Sequence, residues 1–204
     1  MTGWTRVEGR AVALPYENID TDQLIPARFM STPRAEGYGR FLLHDLREKG
    51  ELPPLEGAKI LIAGRNFGCG SSREAAVYAL VDHGIRAVMA ASFGDIFASN
   101  AVNNGLLPAQ ISDDLSARLL ERCPAQISID LAARTVVFED ETHPFALDET
   151  WRLKLRKGWD DIDLTTQHGA AIRAFAKARQ DARPWAWPAP ENTDNETTRR
   201  GASA

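Results

Sequence analysis

The stretch from Lys59 to Ala91 decides the fold, and it reads KILIAGRNFGCGSSREAAVYALVDHGIRAVMAA. Its two ends, KILIA over 59–63 and RAVMAA over 86–91, are apolar runs typical of strands that are buried on both faces. A helix is predicted between them over 72–83, and Gly84 stands where helices commonly end in a glycine. A strand, a helix and a second strand in this order form the repeating unit of a parallel sheet.

The same alternation continues on both sides of this stretch. The sequence predicts a helix that Ser112 caps, strands over 7–14 and 106–111, a hairpin made by 126–131 and 134–139, and helices over 41–49, 95–103, 148–157 and 161–180. Residues 16–33 lack a helical period but are too apolar for a solvated linker, so we expect a functional loop there. We therefore expect one α/β domain over 1–183 and a disordered, proline-containing tail over 184–204.

The composition of the 204 residues excludes several classes of protein. Lys and Arg total 24 against 28 Asp and Glu, a net charge of −4 that argues against a nucleic-acid partner. No apolar run approaches the roughly 18 residues of a membrane-spanning helix, and MTGWTRVEGRAV at the start lacks the apolar region of a secretion signal. Two cysteines make no disulfide framework, which favours the cytoplasm, and they are too few for an iron–sulfur cluster.

The segment GRNFGCGSSRE over 64–74 is the best candidate for chemistry, because open α/β sheets bind ligands where a strand passes into a helix. Three common motifs do not match it. A phosphate-binding Walker loop would place Gly-Lys where Cys69 and Gly70 stand. A dinucleotide fingerprint and a hydrolase nucleophile elbow would each need a glycine at Arg73.

Two interpretations of Ser71-Ser72-Arg73-Glu74 remain open on local pattern. Ser71 and Glu74 have the spacing of a capping box, in which each side chain bonds the other residue's backbone N–H. Alternatively, free N–H groups at a helix start, together with the Arg73 guanidinium, would bind a carboxylate. The capping box is the commoner outcome for such a pattern.

Other polar residues are less specific. The run Asp20-Thr21-Asp22 could bind a hard cation, but a turn made by aspartate side chains is the simpler interpretation. Cys69 could be a reactive thiolate or only a small residue in a tight turn. The four histidines have no spacing that pairs two of them as metal ligands, so no metal site is predicted.

Four segments together resemble a known family: NIDTDQLIPARF over 18–29, GRNFGCGSSRE over 64–74, ASFGDIFASNAVNNGLLP over 91–108 and DLTTQH over 163–168. They resemble the small subunits of 3-isopropylmalate dehydratase, in the aconitase superfamily, in order and spacing from Val7 to Ala182. The resemblance implies the aconitase-type swivel domain, a compact β/α barrel-like sheet with surrounding helices. It also implies a hydro-lyase that converts 2-isopropylmalate, a small dicarboxylate, into 3-isopropylmalate in leucine biosynthesis.

The same resemblance implies a partner and a cofactor. The chain would act only with a large subunit, in a heterodimer or a larger assembly. That subunit would carry a 4Fe–4S cluster that binds the departing hydroxyl as a Lewis acid, and this chain alone would bind none.

The resemblance assigns roles residue by residue. Ser71 would be the base that removes the carbon-bound proton, Arg73 would hold a substrate carboxylate, and Asp22 would support an active-site histidine of the large subunit. Further substrate contacts would come from Arg28, Phe29, Met30 and Ser72.

One position departs from the superfamily: Ala75 stands where a histidine often follows the Ser-Ser-Arg-Glu run. Related hydro-lyases of the citraconate hydratase and homoaconitase type share these motifs, although the apolar Phe29-Met30 pair favours an alkyl substituent. A non-catalytic scaffolding subunit is a further alternative, against which the presence of Ser71, Arg73 and Asp22 argues.

Overall fold

The structure is a computed structural model that describes residues 2–188. One compact unit ends at Leu164 and a second begins at Thr165. The predicted tail over 184–204 is described only as far as residue 188, with a 3₁₀ turn at Pro184–Ala186, and its remainder lies outside the described residues. Among residues 2–188, no helix is both long and apolar enough to cross a bilayer.

Seven strands form one mixed sheet in the order β4-β3-β2-β1-β5-β6-β7. The strands β1 to β4 are parallel, whereas β1 pairs antiparallel with β5, and β5, β6 and β7 form an antiparallel meander. Their bounds are β1 Arg6–Leu14, β2 Ile60–Ala63, β3 Ala87–Ala90, β4 Leu107–Gln110, β5 Ala125–Asp130, β6 Thr135–Phe138 and β7 Glu141–Pro144.

In the described range 2–188, eight α-helices connect and follow these strands. Their bounds are α1 Thr21–Leu24, α2 His44–Glu48, α3 Ala75–His83, α4 Asp95–Asn103, α5 Asp113–Arg122, α6 Glu149–Lys157, α7 Asp161–Thr166 and α8 Gly169–Ala182. As predicted, Ser112 caps α5, since its hydroxyl accepts the N–H of Leu115 at 3.3 Å.

The core lies on both faces of the parallel strands, which explains why their sequences are apolar without alternation. Leu61 faces one cluster with Leu80 of α3, whereas its neighbours Ile60 and Ile62 face the other cluster with Leu119 of α5. All of these residues are fully buried. Burying a side chain of this size contributes about 1.5–3 kcal/mol, so the two clusters fix both the register of β2 and the helices against it.

The sheet curls so that its two edges approach each other. The backbone N–H of Ala146, just after β7, donates to the carbonyl of Gln110 at the end of β4, at 2.8 Å. β4 and β7 are the two edge strands. This contact confirms the prediction of an α/β fold with a barrel-like sheet and surrounding helices.

The following two predicted elements need correction. The loop over 16–33 contains α1 and a 3₁₀ turn at Ala27–Phe29, which are too short to give a helical period. The helix over 161–180 is two helices, because Thr165, Thr166 and Gly169 are weak helix formers at the break.

Strand β7 was not predicted. The turn before it places Glu139 and Asp140 at positive φ, 49° and 65°, as a tight hairpin turn requires. Glycine or asparagine usually marks such a turn, and neither residue is present here.

Candidate active site

The candidate active site lies where β1, β2 and β3 end, because the carboxyl ends of parallel strands meet at one edge of a sheet. Several backbone hydrogen bonds join the loops that follow these strands, and three of them hold the glycine-rich loop. The N–H of Gly68 donates to the carbonyl of Ile19 at 2.7 Å, and the N–H of Thr21 donates to the carbonyl of Cys69 at 3.0 Å. On the other side, the N–H of Gly94 donates to the carbonyl of Phe67 at 2.9 Å.

Glycine is required at two of these contacts. Gly68 has φ +75°, and a Cβ there would lie 2.1 Å from Cγ of Phe97. A Cβ on Gly94 would lie 2.7 Å from the carbonyl oxygen of Gly68. The glycine-rich loop is therefore packed directly against the start of α4, and this packing sets the direction in which the loop delivers Ser71 and Arg73.

Ser71 is exposed, and its backbone is held while its hydroxyl is not. Its carbonyl accepts two hydrogen bonds, from Oγ1 of Thr21 at 3.1 Å and from the N–H of Arg73 at 2.8 Å. Within residues 2–188, no group is hydrogen-bonded to Ser71 Oγ. The hydroxyl is consequently available to a ligand.

The capping box that the local pattern favoured does not form. Helix α3 begins at Ala75, its N-cap residue is Glu74, and no side chain caps it. Ser71, Ser72 and Arg73 therefore precede the helix rather than opening it, which corrects the predicted start at residue 72. The N–H groups of Ser72 and Glu74 donate to no backbone or side-chain acceptor in the described part of the chain, and they remain available to an anion.

Arg73 and Asp22 form an ion pair across the site. Nη1 of Arg73 donates to Oδ1 of Asp22 and lies 3.5 Å from the carbonyl oxygen of Ile25. The arginine side chain is 18% exposed and the aspartate side chain 57% exposed. Neither Nε nor Nη2 of Arg73 has an acceptor among residues 2–188, so the guanidinium keeps the two donors that a bidentate carboxylate would accept.

Asp20 has a structural role. Its carboxylate accepts the N–H of Gln23 at 2.7 Å, and the Gln23 side chain accepts the N–H of Asp20 at 2.9 Å, which completes a capping box for α1. The local structural role that was predicted for the run Asp20-Thr21-Asp22 therefore falls to Asp20 alone, while Asp22 pairs with Arg73. No three His, Cys, Asp or Glu residues in the range 2–188 are grouped as metal ligands would be.

Arg28, Phe29 and Met30 lie just beyond Ile25, in the segment that leads away from the site. Two nitrogens of Arg28 donate to the carboxylate of Asp45 in α2, one of them at 3.1 Å. The Arg28 contact lowers the pKa of Asp45 to about 2, and Asp45 in turn raises the pKa of Arg28. The charge of Arg28 is therefore already neutralised within the chain.

The two apolar residues of this segment differ in their surroundings. Phe29 stacks on Phe41 with ring centroids 4.3 Å apart, and its ring also lies 4.7 Å from that of His44. Met30 is 40% exposed. The structure thus brings Ser71, Arg73 and Asp22 together, packs the half-buried Phe29 against the chain's own core, and leaves Met30 exposed.

The remaining predicted residues make few contacts. Ser72 is exposed, and its side chain has no hydrogen-bond partner in the described part of the chain. Cys69 is half-buried, with its sulfur 3.5 Å from the carbonyl oxygen of Asn18. Cys123 packs instead against the core cluster of Ile60 and Ile62, and burial raises the pKa of its thiol to about 11.

The roles of two residues near the site were not foreseen from the sequence. Thr21 orients the Ser71 carbonyl, and Asp45 neutralises Arg28. Neither role has a local sequence signal, because the partners are separated by 50 and 17 residues.

Comparison with known proteins extends these observations. A family model for the aconitase C-terminal domain matches residues 53–114, which include the glycine-rich loop. The 3-isopropylmalate dehydratase small subunit of Caulobacter vibrioides is 41% identical over 199 residues, which cover 91% of this chain and 98% of that protein. Its counterpart in Shewanella denitrificans is 43% identical over 192 residues, which cover 86% and 96%.

A solved structure agrees with the fold. The crystal structure of 3-isopropylmalate dehydratase from Methanocaldococcus jannaschii matches with a TM-score of 0.67 and 28% sequence identity. The match covers 83% of this chain and 98% of that one. The similarity therefore includes most of the chain and not only the segment around the glycine-rich loop.

Proposed function

The chain belongs to the family of 3-isopropylmalate dehydratase small subunits, and from this membership we propose that it supplies three residues to the active site of that hydro-lyase: Ser71, Arg73 and Asp22. The reaction converts 2-isopropylmalate into 3-isopropylmalate through 2-isopropylmaleate, in leucine biosynthesis. One observation carries the residue assignment. Ser71, at the end of the glycine-rich loop, has a free hydroxyl, and Arg73 two residues later has a largely buried side chain.

A 4Fe–4S cluster does not fit the residues of this chain. Cluster irons are held by several cysteine thiolates, and the sequence has two cysteines. Cys123 is also a poor thiolate, because burial raises the pKa of its thiol to about 11. We therefore place the cluster on the large subunit, and the roles below concern only this chain's own side chains.

Ser71 acts on the carbon-bound proton. A serine hydroxyl is a weak base unless its alkoxide is stabilised. The helix start does not provide that stabilisation, since α3 begins only at Ala75. The guanidinium of Arg73 and the free N–H groups of Ser72 and Glu74 provide it instead.

Arg73 binds one carboxylate of the substrate through Nε and Nη2, while Asp22 fixes the guanidinium from the other side at Nη1. Because Asp22 stays 57% exposed, its second oxygen can also accept a hydrogen bond from a histidine of the large subunit. Met30 contacts the alkyl substituent, since Phe29 already packs on Phe41. An apolar side chain here, next to an arginine whose charge is already paired with Asp45, favours isopropylmalate over substrates that carry a third carboxylate.

Activity of the reconstituted complex tests this proposal. We expect Ser71→Ala, assembled anaerobically with the large subunit, to lower kcat on 2-isopropylmalate about 10²–10⁴-fold, the usual contribution of a positioned base. Ser128→Ala is the matched control, because this serine lies on β5 and, within residues 2–188, its hydroxyl is hydrogen-bonded only to Arg6. The control should keep the wild-type rate, and the chain without its partner should contain no iron and show no turnover.

Two results would overturn the proposal. One is a Ser71→Ala complex that assembles normally and keeps more than about a tenth of the wild-type kcat. The other is turnover by the isolated chain.

A further inference from the structure

Glu74 is drawn away from Ser71 by a residue that the proposed function does not use. Its Oε1 accepts a hydrogen bond from Nδ2 of Asn104, at 2.8 Å, and the same nitrogen donates to the carbonyl of Asn100 at 2.9 Å. Glu74 also contacts Tyr78, one turn further along α3. The carboxylate therefore has two partners, neither of which is in the Ser71–Glu74 run.

This contact competes with the capping box. Ser-x-x-Glu before an apolar helix ordinarily closes on itself, with the serine hydroxyl accepting the glutamate N–H and the glutamate carboxylate accepting the serine N–H. In that arrangement the hydroxyl of Ser71 would be occupied. The structure has neither bond, and Glu74 instead serves as the N-cap residue of α3 with its side chain on Asn104.

Helix α4 can hold Glu74 in this position because it contacts the segment over 64–74 twice. Its first turn packs on the glycine-rich loop, and its last residues reach Glu74. At its start, Phe97 packs where a Cβ on Gly68 would be. At its end, Asn104 is the C-cap residue, and its backbone N–H donates to the carbonyl of Ala101 at 3.1 Å. The asparagine side chain is therefore presented from a fixed backbone.

We infer that Asn104 is a positioning residue for Ser71: by holding the Glu74 carboxylate, it prevents the local capping box and keeps Oγ of Ser71 without an internal partner, so that its alkoxide can take up the carbon-bound proton and become the neutral hydroxyl. The inference rests on the proposed function, because it explains how the base of that reaction stays available. It also gives a role to Asn104, the third asparagine of the NAVNNGLLP segment over 100–108.

The test exchanges the donor and the acceptor of the hydrogen bond between Asn104 and Glu74. Asn104→Asp places two carboxylates against each other and breaks the contact, so we expect kcat to fall about tenfold, the equivalent of one charge-assisted hydrogen bond, with KM within about twofold of wild type. Glu74→Gln is the baseline for the double variant: it keeps an acceptor oxygen for Asn104 and the backbone N–H of residue 74, and its kcat should fall less than that of Asn104→Asp. The double variant Glu74→Gln/Asn104→Asp reverses donor and acceptor, and it should recover kcat to within about threefold of wild type.

The double variant distinguishes a positioning role of Asn104 from a role in stabilising the end of α4. If Asn104 only stabilised that helix, the double variant would be as slow as Asn104→Asp, and melting temperature would fall in parallel with kcat. That result would overturn the inference, as would an unchanged kcat in Asn104→Asp. Ser71→Ala, assayed alongside, reports on the proposed function independently: if it stays active, the base assignment fails whatever the Asn104 variants do.

Discussion

Arg73 donates through Nη1 to Oδ1 of Asp22, although the two residues are 51 positions apart in the chain. The contact joins the end of the glycine-rich loop to α1, and it leaves the opposite edge of the guanidinium without an acceptor among residues 2–188. A carboxylate can therefore approach an arginine whose orientation is already set, so little side-chain entropy is lost on binding.

Replacing Arg73 tests whether that orientation matters. Arg73→Lys keeps the charge but loses the planar fork, so we expect a loss of about 2–3 kcal/mol, or roughly 30–150-fold, in kcat/KM of the complex. Arg65→Lys is a matched control in the same loop, since Arg65 is exposed and its guanidinium pairs with Asp113 instead. Equal activity of the two lysine variants would show that Arg73 does not bind substrate.

The neutralised charge of Arg28 predicts a change of specificity. Arg28 follows Ile25 by three residues, so its backbone lies within about 11 Å of the carbonyl next to Arg73. Asp45→Asn should release the Arg28 charge and raise kcat/KM for homocitrate relative to 2-isopropylmalate roughly fivefold. Adding Arg28→Gln should cancel the gain, and a ratio unchanged by Asp45→Asn would remove Asp45 from any role in specificity.

The same pair has a direct pH signature. Because Arg28 lowers the pKa of Asp45 from 3.8 to about 2, the pair's contribution to stability is present above pH 3.8 and is lost as the pH falls toward 2. Carbon NMR titration of the Asp45 carboxyl should give the lowered value in the wild type. In Arg28→Gln the pKa should rise toward 3.8, and an identical titration in both proteins would contradict the pairing.

Lys154 is a buried cation, whereas the carboxylate that pairs with it is exposed to solvent. Its side chain is 3% exposed, and Nζ donates to Oδ1 of Asn103 and, at 2.7 Å, to the 69% exposed carboxylate of Asp161. Asp161→Ala leaves the buried ammonium without its anion and should lower the free energy of unfolding by about 2–3 kcal/mol. Lys154→Met leaves a carboxylate that water can solvate and should cost less than about 1 kcal/mol.

Urea denaturation of the two variants checks this asymmetry. The reverse order, with Lys154→Met the less stable protein, would show that the ammonium is stabilised by groups other than Asp161.

The two cysteines should differ in reactivity. Burial raises the pKa of Cys123 to about 11, so at about pH 8 almost none of it is the reactive thiolate. We expect iodoacetamide to label the native chain first at Cys69, with Cys123 modified only after unfolding, as peptide mass spectrometry would show. Equal labelling rates in the native chain would mean that the Cys123 thiol is not buried in solution.

Local sequence was sufficient for the elements whose signal lies within a few residues. The apolar runs of β2 and β3 and the cap at Ser112 were predicted correctly, because burial on both faces and end-capping leave a mark on adjacent positions. The turn before β7 was missed because Glu139 and Asp140 adopt positive φ without a glycine to mark it.

The sequence by itself determined the α/β class, the chemistry available in the glycine-rich loop and, through its two cysteines, that this chain has too few thiolates to hold an iron–sulfur cluster. Only the tertiary structure decided whether the Ser71 hydroxyl is engaged in a capping box or is free to bind a ligand. A local pattern favours the capping box, and the contact that prevents it comes from Asn104, 30 positions beyond Glu74. Contacts made across folded elements compete with local hydrogen bonds of similar strength, and that competition is settled only when α4 packs beside the loop.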